Sequence, residues 1–135
     1  NSGGAGTQRG GVGIARQISA MQDDIIFSIR SDSHVIGAPG VFGGSEGGTA
    51  DLIRNADGPD RESLSSKVSH IEMRMGESMR LETAGGGGYG APAERTFAAL
   101  ATDLRDELVS KEKAERDYGA EMVRRAMAET EGELE

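Results

Sequence analysis

Glycine is concentrated in three stretches of this chain, and it limits what the chain can fold into more than any other feature. The 135 residues include 21 glycines, most of them at residues 3–13, 37–48 and 85–90. Because glycine loses more backbone freedom on folding than any other residue, each stretch raises the entropic cost of an ordered structure. We therefore expect burial against an obligate partner to stabilise the chain.

The remaining composition argues against several kinds of partner. The chain is acidic, with a formal net charge of −8 and a pI near 4.8, so it lacks the basic surface that nucleic acids or anionic membranes require. No stretch approaches the ~20 apolar residues of a membrane span. Cysteine is absent, which excludes disulfides and thiolate sites. We expect a cytoplasmic protein. Because only 4% of the residues are aromatic, we expect its core to be thin and aliphatic.

Alternation of apolar and polar residues predicts most of the strands. Residues 11–20 and 24–30 show the two-residue period of half-buried strands, and we expect them to form an antiparallel pair joined near residues 21–23. The same period predicts a second hairpin between residues 71–75 and 79–83.

The middle of the chain is less regular. Leu52 and Ile53 indicate a short strand that ends at a turn over residues 55–59. Residues 34–49 have no regular period, which predicts a long irregular loop. Loops of this length in a compact domain are usually functional or interfacial.

Beyond residue 91 the period changes to that of helices. Apolar residues recur every three or four positions between Phe97 and Leu108, which predicts an amphipathic helix beginning near Pro92. Ser110 can cap a second helix, and Gly119 can stop or kink it. The charged residues that follow predict a solvated helix face with two ion pairs, Glu112 with Arg116 and Glu121 with Arg125.

These patterns together predict an α+β fold. It is mainly antiparallel β structure with long glycine-rich loops, followed by C-terminal amphipathic helices. The predicted division is a β-rich, glycine-rich region over residues 1–90 and a helical extension over residues 91–135. The acidic tail, residues 129–135, is expected to fray.

The glycine run at residues 85–90 satisfies the spacing of a dinucleotide fingerprint, G-x-G-x-x-G. The match is weak because any run of glycines meets it, and no returning parallel strand follows the predicted helix. No Lys and Ser or Thr follow the run, so it is not a Walker motif either. A tight crossing of backbones is the better interpretation.

No residues of this chain are predicted to be catalytic or to bind a metal. His34 and His70 are the only histidines and are too far apart in sequence to form a short-spaced ligand pair. A metal could recruit them together with Asp32, but hydrogen-bonded or surface histidines are the favoured interpretation. The serines lie in glycine-rich surroundings, yet none stands in a Gly-x-Ser-x-Gly elbow.

The order of several motifs resembles the C-terminal portion of the B component in the hydantoinase B/oxoprolinase family. The fullest of them is Leu-Glu-Thr-Ala-Gly-Gly-Gly-Gly-Tyr-Gly at residues 81–90. The others, in chain order, are at residues 1–6, 9–13, 31–32, 38–44, 66–67, 108–110 and 117–119. The chain departs from the family pattern at Ala91, where an acidic residue is usual, and in the charged helix beyond Gly119.

The resemblance implies a component of an ATP-dependent complex. It would be a non-catalytic or partly site-lining part of a cyclic-amide hydrolase of the hydantoinase or 5-oxoprolinase type, and it is not expected to be active alone. A component of an ATP-dependent ketone carboxylase, of the acetone or acetophenone type, and a purely structural assembly module stay open as alternatives. Hydantoin, oxoproline, another lactam and a ketone all stay open as substrates.

The resemblance also implies partners and a set of contact residues. We expect a larger B-type subunit and an actin-like, ATP-binding A-type subunit, and we expect ATP and a divalent metal to bind in those partners. This chain is then expected to contain no catalytic, cofactor-binding or metal-binding residues. The loops expected to line the cavity or contact a partner contain Arg9, Gly10, Asp32, Gly43, Gly44, Gly87, Gly88 and Tyr89.

Overall fold

A computed structural model describes residues 1–132 of the chain. The chain divides into two compact units, each built from separate stretches. The helical unit contains residues 1–12, 38–48 and 85–135, and the strand unit contains residues 13–37 and 49–84. The division into residues 1–90 and 91–135 follows sequence order alone and stays a prediction. Of the tail that is expected to fray, residues 133–135 lie outside the described residues.

The strand unit consists of two antiparallel sheets, which confirms the predicted β class. One sheet has four strands in the order β1-β6-β3-β4, and the other pairs β2 with β5. The short strand predicted at Leu52 and Ile53 is present, and turns follow it. The strands are β1 Ala15–Ser19, β2 Ile25–Arg30, β3 Asp51–Arg54, β4 Glu62–Leu64, β5 Lys67–Met73 and β6 Ser78–Glu82.

The predicted strand pairs are wrong, although the strands lie close to where alternation places them. The segment predicted as one hairpin contains β1 and β2, but β1 pairs with β6 and β2 pairs with β5. The second predicted hairpin fails in the same way, because β5 and β6 are in different sheets. An alternating pattern shows that a segment is a strand but does not specify its neighbour.

The two ladders are the halves of one long antiparallel ribbon that changes sheets midway. Both arms of the ribbon cross between the sheets at the same place, where the Ala20 amide donates to the Glu77 carbonyl and the Gly76 amide donates to the Ala20 carbonyl. Gly76 has φ 88°, a conformation that glycine adopts without strain. A turn at residues 74–77 is therefore present, but it forms a corner and does not close a hairpin.

A small apolar core lies between the two sheets. Met73 and Met79 are buried, one from each sheet, and Ala20 packs with them at the corner. In β3, Leu52 and Ile53 are both buried although they point to opposite faces, as expected of an inner strand. This core is aliphatic, as the composition predicts.

The helical unit contains a 3-10 turn and three helices. The turn is Pro92–Glu94, and the helices are α1 Phe97–Arg105, α2 Lys111–Tyr118 and α3 Ala120–Gly132. No helix among the described residues has both the length and the apolar character that a membrane span needs. C-terminal amphipathic helices are thus confirmed, and α3 covers residues 121–128, whose composition favours a helix.

The helix ends are fixed by local side-chain chemistry. The helix predicted to begin near Pro92 begins at Phe97: Pro92 starts the 3-10 turn, and the Thr96 hydroxyl caps α1 by accepting from the Ala99 amide. Helix α1 ends before Leu108 because Glu107 takes a left-handed conformation with φ 55°. The predicted cap at Ser110 is present, and so is the stop at Gly119, which has φ 90°.

The helices pack around a second apolar cluster. Leu100, Val109 and Val123 are buried there with two alanines. Burying a leucine or valine side chain contributes about 1.5–3 kcal/mol, so these contacts hold the three helices together.

The two predicted ion pairs on the charged face are replaced by others. Arg125 stacks over the ring of Phe97 at 4.0 Å from its centroid, and Glu121 pairs instead with Arg124. The pairs one turn apart in α2 are Lys111 with Glu115 and Lys113 with Asp117. Because several charges share one face, spacing alone does not decide which of them meet.

Candidate functional site

Three glycine-rich segments meet inside the helical unit, and we call their meeting point the glycine crossing. It consists of residues 2–11, 38–48 and 85–90, and each of these segments is hydrogen-bonded to the other two. The Gly4 amide donates to the Gly86 carbonyl, and the Gly88 amide donates to the Ser45 carbonyl. The segments form isolated β-bridges but no regular strands. Direct hydrogen bonds between their backbones hold them together.

Glycine is required at this crossing because the backbones approach too closely for a side chain. A Cβ atom on Gly87 would overlap the Pro39 carbonyl, and one on Gly88 would overlap the Ala5 carbonyl. A Cβ on Gly44 would overlap the Gly88 carbonyl in turn. The obstacles are backbone atoms, so no rotamer change can relieve the overlap.

The crossing also decides between the two interpretations of the run at residues 85–90. A phosphate-binding loop needs backbone amides that are free to point at the ligand. Here the amides are engaged within the crossing, with donation from Gly85, Gly86, Gly88, Tyr89 and Gly90 to backbone carbonyls. The run is a tight backbone crossing and does not have the geometry of a nucleotide cradle.

Two aromatic side chains project from the crossing into solvent. Phe42 and Tyr89 make an edge-to-face contact with centroids 5.3 Å apart and an angle of 70° between the rings. Phe42 is 76% exposed and Tyr89 is 55% exposed. The chain has only 3 Phe and 2 Tyr, so leaving two of them largely exposed is unusual. We call this feature the aromatic pair.

The backbone under the aromatic pair is both strained and fixed. Phe42 has φ 50°, a left-handed conformation that costs a bulky residue about 1–3 kcal/mol. The neighbours on both sides hold it there: the Val41 amide donates to Gly88, and the Gly44 amide donates to Val41. Tyr89 is held from its other side by two backbone hydrogen bonds with Gln8. The pair is therefore rigidly presented.

A buried charged group lies in the same unit. The Asp103 carboxylate contacts the guanidinium of Arg95, and its Oδ2 is 3.0 Å from Arg9 Nε. That second contact is close enough for an ion pair, but its angle does not make a hydrogen bond. Arg95 also donates to the carbonyls of Thr7 and Ala99. The group ties residues 7 and 9 to α1 and to Arg95 just before it.

Tyr118 completes this group. Its ring lies 5.7 Å from Arg95 Cζ in a cation–π contact. Burial raises the pKa of the Tyr118 hydroxyl above its ordinary value, and the positive charge of Arg95 opposes the rise. The Gly6 backbone also opposes this rise in pKa, but it forms no hydrogen bond with the buried hydroxyl.

The structure places seven of the eight predicted contact residues in the helical unit. Tyr89 is one of the aromatic pair, Gly43 and Gly44 follow Phe42 in the chain, Gly87 and Gly88 precede Tyr89, and Gly10 meets the same glycine run at Gly86. The Arg9 side chain is only 15% exposed, because it lies on Asp103. Asp32 belongs to the strand unit, where it is exposed and lies 3.5 Å from Lys67.

Sequence reasoning missed Phe42 and the buried group of Arg95 and Asp103. A signal for Phe42 was available, because a large ring followed by two glycines has no neighbours able to enclose it. Nothing in the sequence pointed to the buried group, since Asp103 contacts Arg9 and Arg95 contacts Thr7 across more than 80 positions.

The histidines have ordinary surroundings. His34 Nε2 lies 2.7 Å from the Ser31 hydroxyl, and the exposed His70 sits at a β-bulge with φ 58°. Within residues 1–132, no group of three or more His, Cys, Asp or Glu side chains is arranged to hold a metal ion. The donor set of this segment does not fit a metal centre.

Fold and site together define an α+β chain whose helical unit is assembled on a glycine crossing. The model of the hydantoinase B/oxoprolinase family matches residues 1–92, which include the whole crossing. The chain belongs to the hydantoinase B/oxoprolinase family.

Individual relatives agree with this assignment. An uncharacterized protein of Methanocaldococcus jannaschii is 36% identical over 125 residues, which are 93% of this chain and 22% of the relative. The putative B component of a D-/L-hydantoinase from a Pseudomonas species is 33% identical over 120 residues, 88% of this chain and 20% of the relative. The chain therefore spans about a fifth of the length of these curated relatives.

A solved structure has the same fold. The nucleotide-free structure of an acetone carboxylase superposes with a TM-score of 0.64 at 18% identity, covering 98% of this chain and 24% of that one. At this identity the likeness concerns the fold alone.

Proposed function

We propose that this chain is a cytoplasmic component of an ATP-dependent cyclic-amide hydrolase complex of the hydantoinase or 5-oxoprolinase type. In this proposal the glycine crossing and its aromatic pair line part of the catalytic cavity or a contact with a partner, and the chain is inactive alone. Family membership and a hydantoinase B component among the relatives support the class of complex.

The observation that carries the role of the crossing is the aromatic pair. Holding Phe42 in a strained conformation costs stability. Two rings exposed to solvent contribute no burial free energy to offset that cost. Rigid aromatic side chains are typical anchors of protein contacts and ligand pockets, since little entropy is lost when they bind.

ATP and a divalent metal are assigned to the partners in this proposal, a larger B-type subunit and an actin-like A-type subunit. The described residues do not fit either group: five of the six amides at residues 85–90 donate to backbone carbonyls, and no three or more of the described acidic and histidine side chains are arranged to hold a metal ion. We therefore derive no catalytic step through ATP or metal in this chain.

The test begins with the native complex. Proteins that co-purify with the chain are identified by mass, and ATP-dependent turnover is measured with hydantoins, 5-oxoproline and ketones. A larger B-type polypeptide with an actin-like ATPase, active on a lactam, is the expected result. Turnover of ketones alone would favour the carboxylase alternative, and a lone monomer would overturn the proposal.

Variants then test the aromatic pair. The double variant Phe42→Ala, Tyr89→Ala is expected to lower turnover or assembly at least tenfold, because it removes exposed anchors without disturbing either apolar cluster. Met21→Ala is the control, since Met21 is 84% exposed and lies in the strand unit. Unchanged assembly and turnover would contradict the role of the pair. Lost assembly with normal turnover of the remaining complex would favour a purely structural module.

A further inference from the structure

Strand β1 forms an open edge of the four-stranded sheet. It pairs with β6 on one side, and no described strand pairs with its other side. All five of its residues are exposed. The opposite edge is better protected, since β4 has only three residues and follows Asp60 and Arg61. Natural sheets usually cover or blunt such an edge, because its unpaired backbone groups recruit another strand.

The register identifies which backbone groups are unpaired. The Ile14 carbonyl accepts from Thr83, and the Ala20 amide donates to Glu77, so both residues point toward β6. In an antiparallel ladder this direction alternates, and the β1–β6 register is continuous. Arg16 and Ile18 therefore also point toward β6. The amides and carbonyls at the free edge are those of Ala15, Gln17 and Ser19.

Side chains on one face of the edge define the chemistry of what would cover it. Ile14 and Ile18 are 69% and 49% exposed, and Arg16 lies between them on the same face. Arg16 forms no ion pair with any described residue. A matching strand has apolar residues opposite the two isoleucines and an acidic residue opposite Arg16.

A second copy of the chain is a poor occupant for this edge. Five residues of pairing would bury far less than the ~1,200 Å² typical of a stable interface, and each copy has a net charge of −8. A strand that belongs to a larger polypeptide is not limited by this small area, since other contacts add to its binding. The curated relatives are about five times longer than this chain, and about four fifths of their length has no counterpart here.

We infer that the free edge of β1 is the docking site for a β-strand of the larger B-type polypeptide. The inference rests on the proposed function and adds to it the place and the mode of assembly. The incoming strand extends the sheet through the backbone groups of Ala15, Gln17 and Ser19, and it covers Ile14 and Ile18.

Hydrogen exchange of single amides tests this inference. It is measured by NMR on the free chain and on the complex with the co-purified B-type polypeptide. In the free chain, Arg16 and Ile18 are protected while Ala15, Gln17 and Ser19 exchange fast. In the complex, the three fast amides are expected to slow at least tenfold.

Two variants sharpen the test. Gln17→Pro removes the backbone amide from the free edge, where proline is tolerated, together with the exposed side-chain hydrogen bond to Asp57, and it is expected to weaken binding of the B-type polypeptide about tenfold or more. Ile18→Lys places a charge under the incoming strand and is expected to weaken binding as well. Ile26→Lys is the matched control, because Ile26 is 58% exposed on β2 of the other sheet.

The outcomes separate the two proposals. A complex that forms while Ala15, Gln17 and Ser19 keep exchanging fast overturns the docking site and leaves the proposed function standing. Protection that rises with the concentration of the chain alone, together with a dimer mass, assigns the edge to a second copy and overturns the inference. Failure of the wild-type chain to bind any B-type polypeptide overturns both.

Discussion

Gly87 has a carbonyl oxygen where any other residue would place its first side-chain carbon. Gly87→Ala is therefore expected to lower the free energy of unfolding by about 1–3 kcal/mol, since the Pro39 backbone must move to admit a methyl group. Urea denaturation of the purified chain measures the change.

Gly11→Ala is the matched control, because it lies in the same crossing but has no atom within 4 Å of an added Cβ. It is expected to be neutral or stabilising by about 0.4–1 kcal/mol, through the lower entropy of the unfolded chain. Equal losses in the two variants would show that close approach is not the reason for glycine at residue 87.

Asp103 is the second residue whose surroundings make a sharp prediction. Its carboxylate is buried against Arg9 and Arg95, so Asp103→Asn leaves two guanidiniums without a counter-charge and is expected to cost about 3–5 kcal/mol. Asp32→Asn removes a carboxylate that is 89% exposed and is expected to cost less than about 1 kcal/mol. Thermal unfolding of both variants checks the contrast, and a small loss at Asp103 would contradict it.

Single residues also show where sequence reasoning reaches its limit. Gly85 to Gly90 could be interpreted as a close crossing from composition, because glycine is the residue that permits such approach. The partner of that run could not, since the Pro39 carbonyl reaches Gly87 only in the folded chain. The left-handed Phe42 was equally hidden, because a bulky residue rarely adopts that conformation.

The corner between β5 and β6 depends on Glu77. Its pKa lies below the ordinary value of 4.5, first because the Arg74 backbone amide donates to the carboxylate and then because the Arg54 guanidinium does. A lowered pKa stabilises the fold above pH 4.5, and that stabilisation is lost as the pH falls through the folded value. The melting temperature of Glu77→Gln is therefore expected to lie below that of wild type at neutral pH and to approach it below pH 4.5.

Arg54→Gln provides the comparison for this pH dependence. It removes both the hydrogen bond and the charge of Arg54 but leaves the backbone hydrogen bond, so it is expected to keep part of the dependence that Glu77→Gln abolishes. Melting curves from neutral pH to about pH 3 compare the three proteins. If Arg54→Gln abolished the dependence as completely as Glu77→Gln, the ion pair and not the backbone would be its main source.

At the scale of elements, the sequence predicts what is local. Period-two alternation located the strands, and Ser110 and Gly119 marked helix ends, because these signals act within a few residues. Strand pairing was wrong because both predicted hairpins joined neighbours in sequence, whereas β1 pairs with β6 across about 60 residues. The bend between β1 and β2 is fixed by the backbone hydrogen bonds of Ala20 at the corner. No periodicity in the sequence predicts these hydrogen bonds.

The whole chain passes between its two units four times, at residues 12, 37, 48 and 84. Each unit nevertheless has its own apolar cluster, one among the helices and one between the sheets. The first ten residues belong to the helical unit, where Asn1 contacts the start of α2 and Arg9 contacts Asp103 in α1. The helices thus depend on residues about 100 positions before them.

Removing residues 1–10 is therefore expected to expose the amides of α1, α2 and α3 to hydrogen exchange while those of β3 and β6 stay protected. Met79→Ala is expected to have the opposite effect and expose the amides of the strand unit. It opens a cavity between the sheets, which lowers the free energy of unfolding by about 2–5 kcal/mol, and it leaves the helical cluster untouched. Exchange followed by mass spectrometry measures both patterns on the full set of peptides. If either change exposed the amides of both units to exchange together, the two clusters would unfold as one cooperative unit. The division into two units would then describe the structure of the chain but not its stability.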